Sequence, residues 1–196
     1  MLKVGITGGI GSGKTLVCKI FSQLDVPVYN ADDAAKRLTV SNSVIHQKYL
    51  ELFGNQIYFD DGALNKILLS QLIFNDQTLL EKVNAIVHPV VVADFYEWSE
   101  KNKNFKYGLQ EAAILFESGV YKNMDAIITV YAPEETRIKR ILLREKTSEE
   151  NIQARMSKQW SDEEKISRSQ FVIDNSDGQF IIPQILKIHK RLKMDN

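Results

Sequence analysis

One short stretch near the start of the chain combines the residue types that bind phosphate. Residues 8–15 read Gly-Gly-Ile-Gly-Ser-Gly-Lys-Thr and satisfy the pattern G-x-x-x-x-G-K-[ST]. Glycines let the backbone approach an anion closely, so that successive N–H groups converge on phosphate oxygens. Lys14 would place a positive charge on the β- and γ-phosphates, and the Thr15 hydroxyl is the expected ligand of Mg²⁺. The pattern predicts nucleoside triphosphate binding by Gly9, Gly11, Ser12, Gly13, Lys14, Thr15 and Leu16.

The elements that must position this loop alternate between strand and helix. An apolar strand over Leu2–Thr7 precedes the loop, a helix over 14–24 follows it, and a second strand covers 27–30. Further strands are predicted at 107–116, 126–131 and 171–174, with helices at 134–145 and 179–192. This alternation predicts an α/β fold, with a parallel sheet between two layers of helices, as in P-loop NTPases.

A helical block interrupts the alternation after the second strand. We predict a nucleotide-binding core of residues 1–31, 107–145 and 170–196, and a helical acceptor-binding insertion at 32–106. Residues 146–169 are polar and are predicted to form a lid of two short helices. Two possible capping boxes would start these helices, Thr147 with Glu150 and Ser161 with Glu164.

Asp32 is the candidate catalytic base. The carboxyl ends of parallel strands share one edge, and the ligands of such sheets bind there. Asp32 follows the second strand as the phosphate loop follows the first, so we expect both at one crevice. A carboxylate there could accept the proton of an attacking hydroxyl. Aspartate is also a favoured helix N-cap, and the spacing alone leaves both roles open.

Three arginines share one face of the helix predicted at 134–145, since Arg137, Arg140 and Arg144 are three and four residues apart. The same helix is expected to turn Ile138, Ile141 and Leu142 toward the core. More basic residues follow on the predicted lid, namely Arg155, Lys158, Lys165 and Arg168. Such cations could stabilise a transferring phosphoryl group when a lid closes, or form a solvated face paired with nearby glutamates.

The motifs of other P-loop classes are missing. No aspartate stands three residues before any of the ten glycines, and the pair Asn65-Lys66 is not followed by the aspartate of N-K-x-D. A GTPase is therefore disfavoured, and so is an ATPase with an apolar strand ending in Asp-Glu. A phosphate loop, a helical insertion and a basic lid indicate a small-molecule kinase. An ATP-switched binding protein without a small acceptor is the alternative from another class.

Composition excludes several other roles. Lys plus Arg and Asp plus Glu both number 25 in 196 residues, which gives no reason to expect a nucleic acid or an anionic membrane as partner. The single Cys18 excludes an internal disulfide, is expected to be a buried core residue, and fits a cytoplasmic protein. No secretory signal or membrane span is recognisable. A monomer is expected, with weak self-association left open.

The chain resembles the dephospho-CoA kinase family over nearly its whole length. The resemblance rests on LKVGITGGIGSGKT with LDVPVYNAD, on Val87-His88-Pro89, on residues 114–117 (ILFE) and on residues 171–175 (FVIDN). It implies transfer of the γ-phosphate of ATP to the ribose 3′-hydroxyl of dephospho-CoA, with Mg²⁺. It also implies a set of roles: Asp32, Lys14 and Arg140 as catalytic residues, Arg144 and Asn175 as nucleotide contacts, and Asp32, His88, Pro89, Phe116 and Glu117 as acceptor contacts. Another kinase of the nucleoside-monophosphate type remains the nearest alternative.

Three positions depart from the family pattern. Asn30-Ala31-Asp32 stands where many members have Asp-x-Asp, so the role of Asn30 is open. The phosphate loop ends in Thr15-Leu16, where the family has Ser-Thr, and this keeps one hydroxyl for the metal. Alanine occupies position 113, where the family has proline. For His88, a hydrogen bond at the bend caused by Pro89 is the structural alternative to contact with the substrate.

Overall fold

The computed structural model describes residues 1–74 and 76–194. The chain divides into two compact units. The first comprises Met1–Asn30 with Trp98–Asn196, and the second comprises Ala31–Glu97. Within the described residues, no helix is both long and apolar enough to cross a membrane.

The first unit is built on a parallel sheet of five strands in the order β2-β3-β1-β4-β5. The strands are β1 (Leu2–Thr7), β2 (Val28–Asn30), β3 (Tyr107–Glu111), β4 (Ala126–Tyr131) and β5 (Phe171–Asp174). Ile6 of β1 pairs with Glu111 of β3 and with Ile128 of β4. The register therefore brings the carboxyl ends of β1, β2 and β3 to one edge, and the predicted parallel sheet is confirmed.

Helices of this unit follow the strands as the alternation predicts. They are α1 (Lys14–Gln23), α6 (Glu134–Arg144), α7 (Glu149–Met156), α8 (Asp162–Ser167) and α9 (Ile181–Met194). The main core joins α1 and α9 to the sheet through Val17, Phe21, Ile185 and Ile188, which pack with β1, β3 and β4 residues. Burial of these aliphatic and aromatic side chains is the chief stabilising term for the scaffold beneath the phosphate loop.

The second unit is helical, and Tyr58 and Leu64 form an isolated antiparallel bridge in it. Its helices are α2 (Ala31–Ser41), α3 (Ser43–Phe53), α4 (Lys66–Phe74) and α5 (Gln77–Lys101), and the last residues of α5 belong to the first unit. Asn42 caps α3 by accepting from Val44 and Ile45. Gly54 and Gly62 have positive φ, a conformation that glycine adopts without steric cost.

Three local predictions were wrong. Strand β3 ends at Glu111 and not at residue 116, because its pairing with β1 stops where β1 turns into the phosphate loop, and residues 113–118 form turns. Helix α2 begins at Ala31, so Asp32 lies inside the helix and the N-cap role considered for it does not apply. Ser148 caps α7 in place of the predicted Thr147, whereas the capping box of Ser161 with Glu164 is present in α8.

Candidate active site

The phosphate loop joins the carboxyl end of β1 to the amino end of α1. Ser12 N–H donates to the Gly9 carbonyl at 3.0 Å and closes the turn. Gly13 precedes α1 with φ of 95°, a left-handed conformation that glycine adopts without steric cost. A side chain at Gly13 would also collide with the Asn175 amide. The loop therefore needs glycine here for both its backbone shape and its neighbour.

Lys14 lies across this loop. Its Nζ donates to the carbonyl of Gly8 at 2.8 Å and to that of Gly9 at 3.3 Å. The first turn of α1 carries this lysine and no acidic residue, which is the reverse of what the helix dipole favours. A positive side chain at the positive end of a helix adds to an anion-binding site and does not stabilise the helix.

Thr15 belongs to a polar cluster at the carboxyl edge of the sheet. Its hydroxyl donates to Glu111 Oε1 at 2.8 Å, and Asn30 Nδ2 donates to Glu111 Oε2 at 3.1 Å. Glu111 is buried, so both bonds stabilise an otherwise desolvated carboxylate. The sequence interpretation missed Glu111, although an acidic residue at the end of a buried strand was the signal for it.

Cys18 lies beneath the same cluster. The pKa of its thiol is raised, first by burial and then by the charge and hydrogen bonding of Glu111. The prediction of a buried core cysteine is confirmed, and the neutral thiol is a poor nucleophile.

Asn175 connects the end of β5 to the phosphate loop. Its Nδ2 donates to the Ser12 carbonyl at 2.7 Å. Arg140 Nη2 in turn donates to the Asn175 carbonyl at 3.0 Å and to Asp177 Oδ1 at 2.9 Å. Arg140 and Asn175, both predicted site residues, therefore lie together beside the loop.

Arg144 lies one turn after Arg140 and is mostly exposed. It forms an ion pair with the neighbouring Glu145, which also pairs with Arg155. These two hydrogen-bonded arginines lower the pKa of the Glu145 carboxyl. In this arrangement Arg144 lies in a surface ion-pair network, and its predicted contact with nucleotide stays a prediction.

Arg137 differs from the other two arginines because it is buried. Its side chain is 7% exposed, and its Nη2 pairs with Asp162 Oδ2 at 2.8 Å. Nε donates to the Ala132 carbonyl at 3.0 Å and Nη1 to the Ile10 carbonyl at 3.5 Å. The prediction that Leu142 turns inward was wrong, since it is exposed. Arg137 thus points inward from α6 and braces the phosphate loop, in the sense that its hydrogen bond to the Ile10 carbonyl fixes the loop to α6.

We expect Arg137→Ala to lower the free energy of unfolding by about 3–5 kcal/mol, because Asp162 would keep a largely buried charge without its partner. Urea denaturation followed by circular dichroism measures this change. Arg155→Ala is the matched control, since it breaks an exposed pair that is worth about 1 kcal/mol or less. Equal losses in the two variants would contradict a bracing role for Arg137.

Phe116 and Glu117 lie in the turns after β3. Phe116 is buried and stacks on Trp160, with ring centroids 5.5 Å apart and planes at 13°. Glu117 Oε1 accepts from Trp160 N–H at 2.7 Å and lies 3.4 Å from Lys165 Nζ. Lys165 is fully buried. It was expected among the basic groups that arrive on lid closure, but here it is part of the core.

Asp32, His88 and Pro89 belong to the second unit. Asp32 lies in the first turn of α2, two residues beyond the end of β2, so it is not the N-cap of that helix. α5 continues through Pro89. Burial lowers the pKa of His88, which favours the neutral ring. Among residues 1–74 and 76–194, no hydrogen bond to the His88 ring is found, so the structural alternative for His88 lacks its expected bond.

Comparison with known proteins decides the family. The family model described as dephospho-CoA kinase (CoaE) matches residues 2–180. The chain belongs to the dephospho-CoA kinase family. A dephospho-CoA kinase from Bacteroides fragilis is 41% identical over 187 residues, which cover 95% of this chain and 91% of the relative. The predicted family and the predicted kinase activity are confirmed.

Solved structures agree on the fold. A protein from Thermus thermophilus superposes with a TM-score of 0.83 at 29% identity, covering 97% of this chain and 96% of its own. A dephospho-CoA kinase from Campylobacter jejuni superposes with a TM-score of 0.73 at 24% identity, covering 99% of this chain and 98% of its own. The prediction of an α/β P-loop kinase fold is confirmed.

Proposed function

We propose that this protein transfers the γ-phosphate of ATP to the ribose 3′-hydroxyl of dephospho-CoA, giving CoA and ADP in the last step of CoA biosynthesis in the cytoplasm. One observation carries the proposal. A phosphate loop with Lys14 across it is supported by Asn175, a residue of the FVIDN segment that the family shares. The identity of the acceptor, dephospho-CoA, is inferred from membership of the dephospho-CoA kinase family.

The first unit supplies the nucleotide side of this proposal. Lys14 exchanges its two backbone carbonyls for phosphate oxygens when ATP binds, and the loop N–H groups hold the β-phosphate. Arg140 meets the charge that develops on the transferring phosphoryl group. Its Nη1 is buried without a hydrogen-bond partner in the described chain, so a phosphate oxygen would satisfy it. Arg144 and Asn175 contact the nucleotide.

The acceptor side of the proposal starts from Asp32. Asp32 accepts the proton of the attacking hydroxyl, and its exposed position in the first turn of α2 leaves its carboxylate accessible to a substrate. His88, Pro89, Phe116 and Glu117 contact dephospho-CoA. A neutral His88 can donate or accept a hydrogen bond, and it has no need to transfer a proton while Asp32 does so.

The residues at the sheet edge fit Mg²⁺. The ion prefers oxygen ligands and commonly takes one or two from protein, the rest coming from water and phosphate. Thr15 Oγ1 would be such a ligand, and it lies 2.8 Å from Glu111 Oε1. When bound there, Mg²⁺ would neutralise charge on the phosphate oxygens. The Thr15 hydroxyl donates its proton to Glu111, so a lone pair of Thr15 Oγ1 faces away from Glu111 and is available to a metal ion. Asn30 holds Glu111, which gives this amide a role where many relatives have a carboxylate.

We expect Glu111→Gln to weaken Mg²⁺ binding in the presence of ADP by about 10- to 100-fold, the usual effect of removing a group that orients a metal ligand. Calorimetry of ADP binding with Mg²⁺ and with EDTA measures this without turnover. ADP affinity in EDTA should stay near that of the parent protein.

Asp125→Asn is the matched control for this experiment. Asp125 accepts from Lys3 N–H at 2.7 Å, at the opposite edge of the same sheet. An equal loss of Mg²⁺ affinity in both variants would show that the effect comes from charge or stability and not from the Thr15 cluster.

An ADP-release assay over a panel of acceptors tests the proposed function. The panel contains dephospho-CoA, AMP, CMP, shikimate and no acceptor. Release that depends on dephospho-CoA alone is the expected result. Release with AMP or CMP would indicate a nucleoside-monophosphate-type kinase, and equal release without acceptor would remove the acceptor from the proposal.

A further inference from the structure

Gln159, between α7 and α8, bridges two parts of the candidate site. Its Oε1 accepts from Ile10 N–H of the phosphate loop at 2.9 Å. Its Nε2 donates to the Ala113 carbonyl, in the turns after β3, at 2.9 Å. The two bonds have opposite polarity, and a primary amide is the side-chain group that provides both. They join parts of the chain that lie 149 and 46 residues from Gln159.

The backbone carbonyl of Ile10 also accepts a hydrogen bond from a side chain. Its carbonyl accepts from Arg137 Nη1, and Arg137 Nη2 pairs with Asp162, three residues after Gln159. Side chains therefore bind both the N–H and the carbonyl of Ile10. Ile10 lies in the middle of the loop, so its position sets the direction of the N–H groups that follow.

The chain around Gln159 is itself anchored. The ring of Trp160, the next residue, stacks on Phe116, and its backbone N–H donates to Glu117. Arg168 lies over the Trp160 ring, 5.1 Å from its centroid. The buried Lys165 pairs with the same Glu117. Residues 159–168 are thus attached to residues 113–117, which contain two of the expected acceptor contacts.

We propose that Gln159 is a positioning residue for phosphoryl transfer, because it fixes the phosphate loop at Ile10 relative to residues 113–117. The proposal rests on the proposed function, in which the loop holds the donor and Glu117 contacts the acceptor. Transfer requires donor and acceptor in line, and a misplacement of about 1 Å can cost about 100-fold in rate. Both ends of the Gln159 amide are engaged in these two bonds, so in this proposal it acts through the two groups that it joins.

Two substitutions separate positioning from stability. Gln159→Leu removes both bonds. Gln159→Glu keeps the acceptor for Ile10 N–H but sets a carboxylate against the Ala113 carbonyl. Gln153→Leu is the control, since Gln153 is exposed on α7 and, in the described chain, its side chain bonds only Glu149, one turn earlier, at 3.3 Å. The measurements are kcat, the Kd for ADP with Mg²⁺, and the thermal midpoint. The acceptor is whichever one the parent uses in the panel, so failure of dephospho-CoA as substrate leaves this test intact.

For Gln159→Leu we expect kcat to fall about 10- to 100-fold. The Kd for ADP should change less than kcat, and the thermal midpoint should stay near the parental value. Gln159→Glu should lose a smaller part of kcat, and Gln153→Leu none. A kcat within about threefold of the parent in both Gln159 variants would overturn the proposal, as would an equal loss in Gln153→Leu. If neither Gln159 variant folds, the residue serves stability and the proposal fails.

Discussion

A Lys14→Ala protein is expected to remain folded and to lose about 100- to 1,000-fold in the rate of phosphoryl transfer, the usual cost of removing one group that stabilises developing charge. Lys14 Nζ donates to carbonyls of its own loop, and the side chain is only partly buried. Loss of a cation from the amino end of α1 also relieves an unfavourable interaction with the helix dipole. Single-turnover kinetics beside circular dichroism separates rate from folding.

Lys19→Ala is the matched control for Lys14. Lys19 lies on the same helix and is exposed, so its removal makes the same change in net charge at a distance from the loop. We expect it to keep the parental rate. Activity of Lys14→Ala within tenfold of the parent, a change in activation free energy of less than about 1.4 kcal/mol, would remove Lys14 from the mechanism.

The phosphate loop could be predicted because all of its information is local. Gly8 and Thr15 are seven residues apart, and the apolar strand and the helix flank them directly. The left-handed backbone at Gly13 and the position of Lys14 follow from residue types within one turn. Alternation of strands and helices is local too, so the parallel sheet was predictable while element ends shifted by one to five residues.

The depth of a side chain in the fold was not predictable in the same way. Arg137, Arg140 and Arg144 share one helix face, but their side chains are 7%, 33% and 64% exposed. Helical spacing gives the direction of a side chain and not what packs above it. What covers Arg137 is Asp162, 25 residues later, and nothing in the spacing of the arginines points to it.

Polar contacts between residues far apart in the sequence were not predictable either, because they too depend on the tertiary fold. Thr15 and Glu111 are 96 residues apart, and Ile10 and Gln159 are 149 apart. Each contact needs the sheet order and its register before the partners can be paired. No strand ends in Asp-Glu, which disfavours an ATPase, but β3 ends in Gln110-Glu111 and carries the carboxylate that accepts from Thr15.

An Asp32→Asn enzyme is expected to lose transfer by about 100- to 10,000-fold, the range in which a general base contributes. Asparagine keeps the size and the hydrogen-bonding oxygen of aspartate but cannot take up the proton of the attacking hydroxyl. Binding of dephospho-CoA should persist, because the carboxylate acts mainly as the hydroxyl attacks. Single-turnover kinetics measures the rate, and calorimetry with dephospho-CoA measures the binding.

Asp33→Asn is a close control, because Asp33 shares the first turn of α2 with Asp32 and is exposed too. Each aspartate favours the amino end of that helix by about 0.3–1 kcal/mol, so the two variants should melt alike. A difference in rate between them then reports proton transfer and not helix stability. If Asp32→Asn keeps more than about a tenth of the parental rate, Asp32 is not the base. If the loss is confined to Asp33→Asn, the base lies one residue later on the same turn. The polar cluster of Thr15, Glu111 and Asn30 keeps its role in either case.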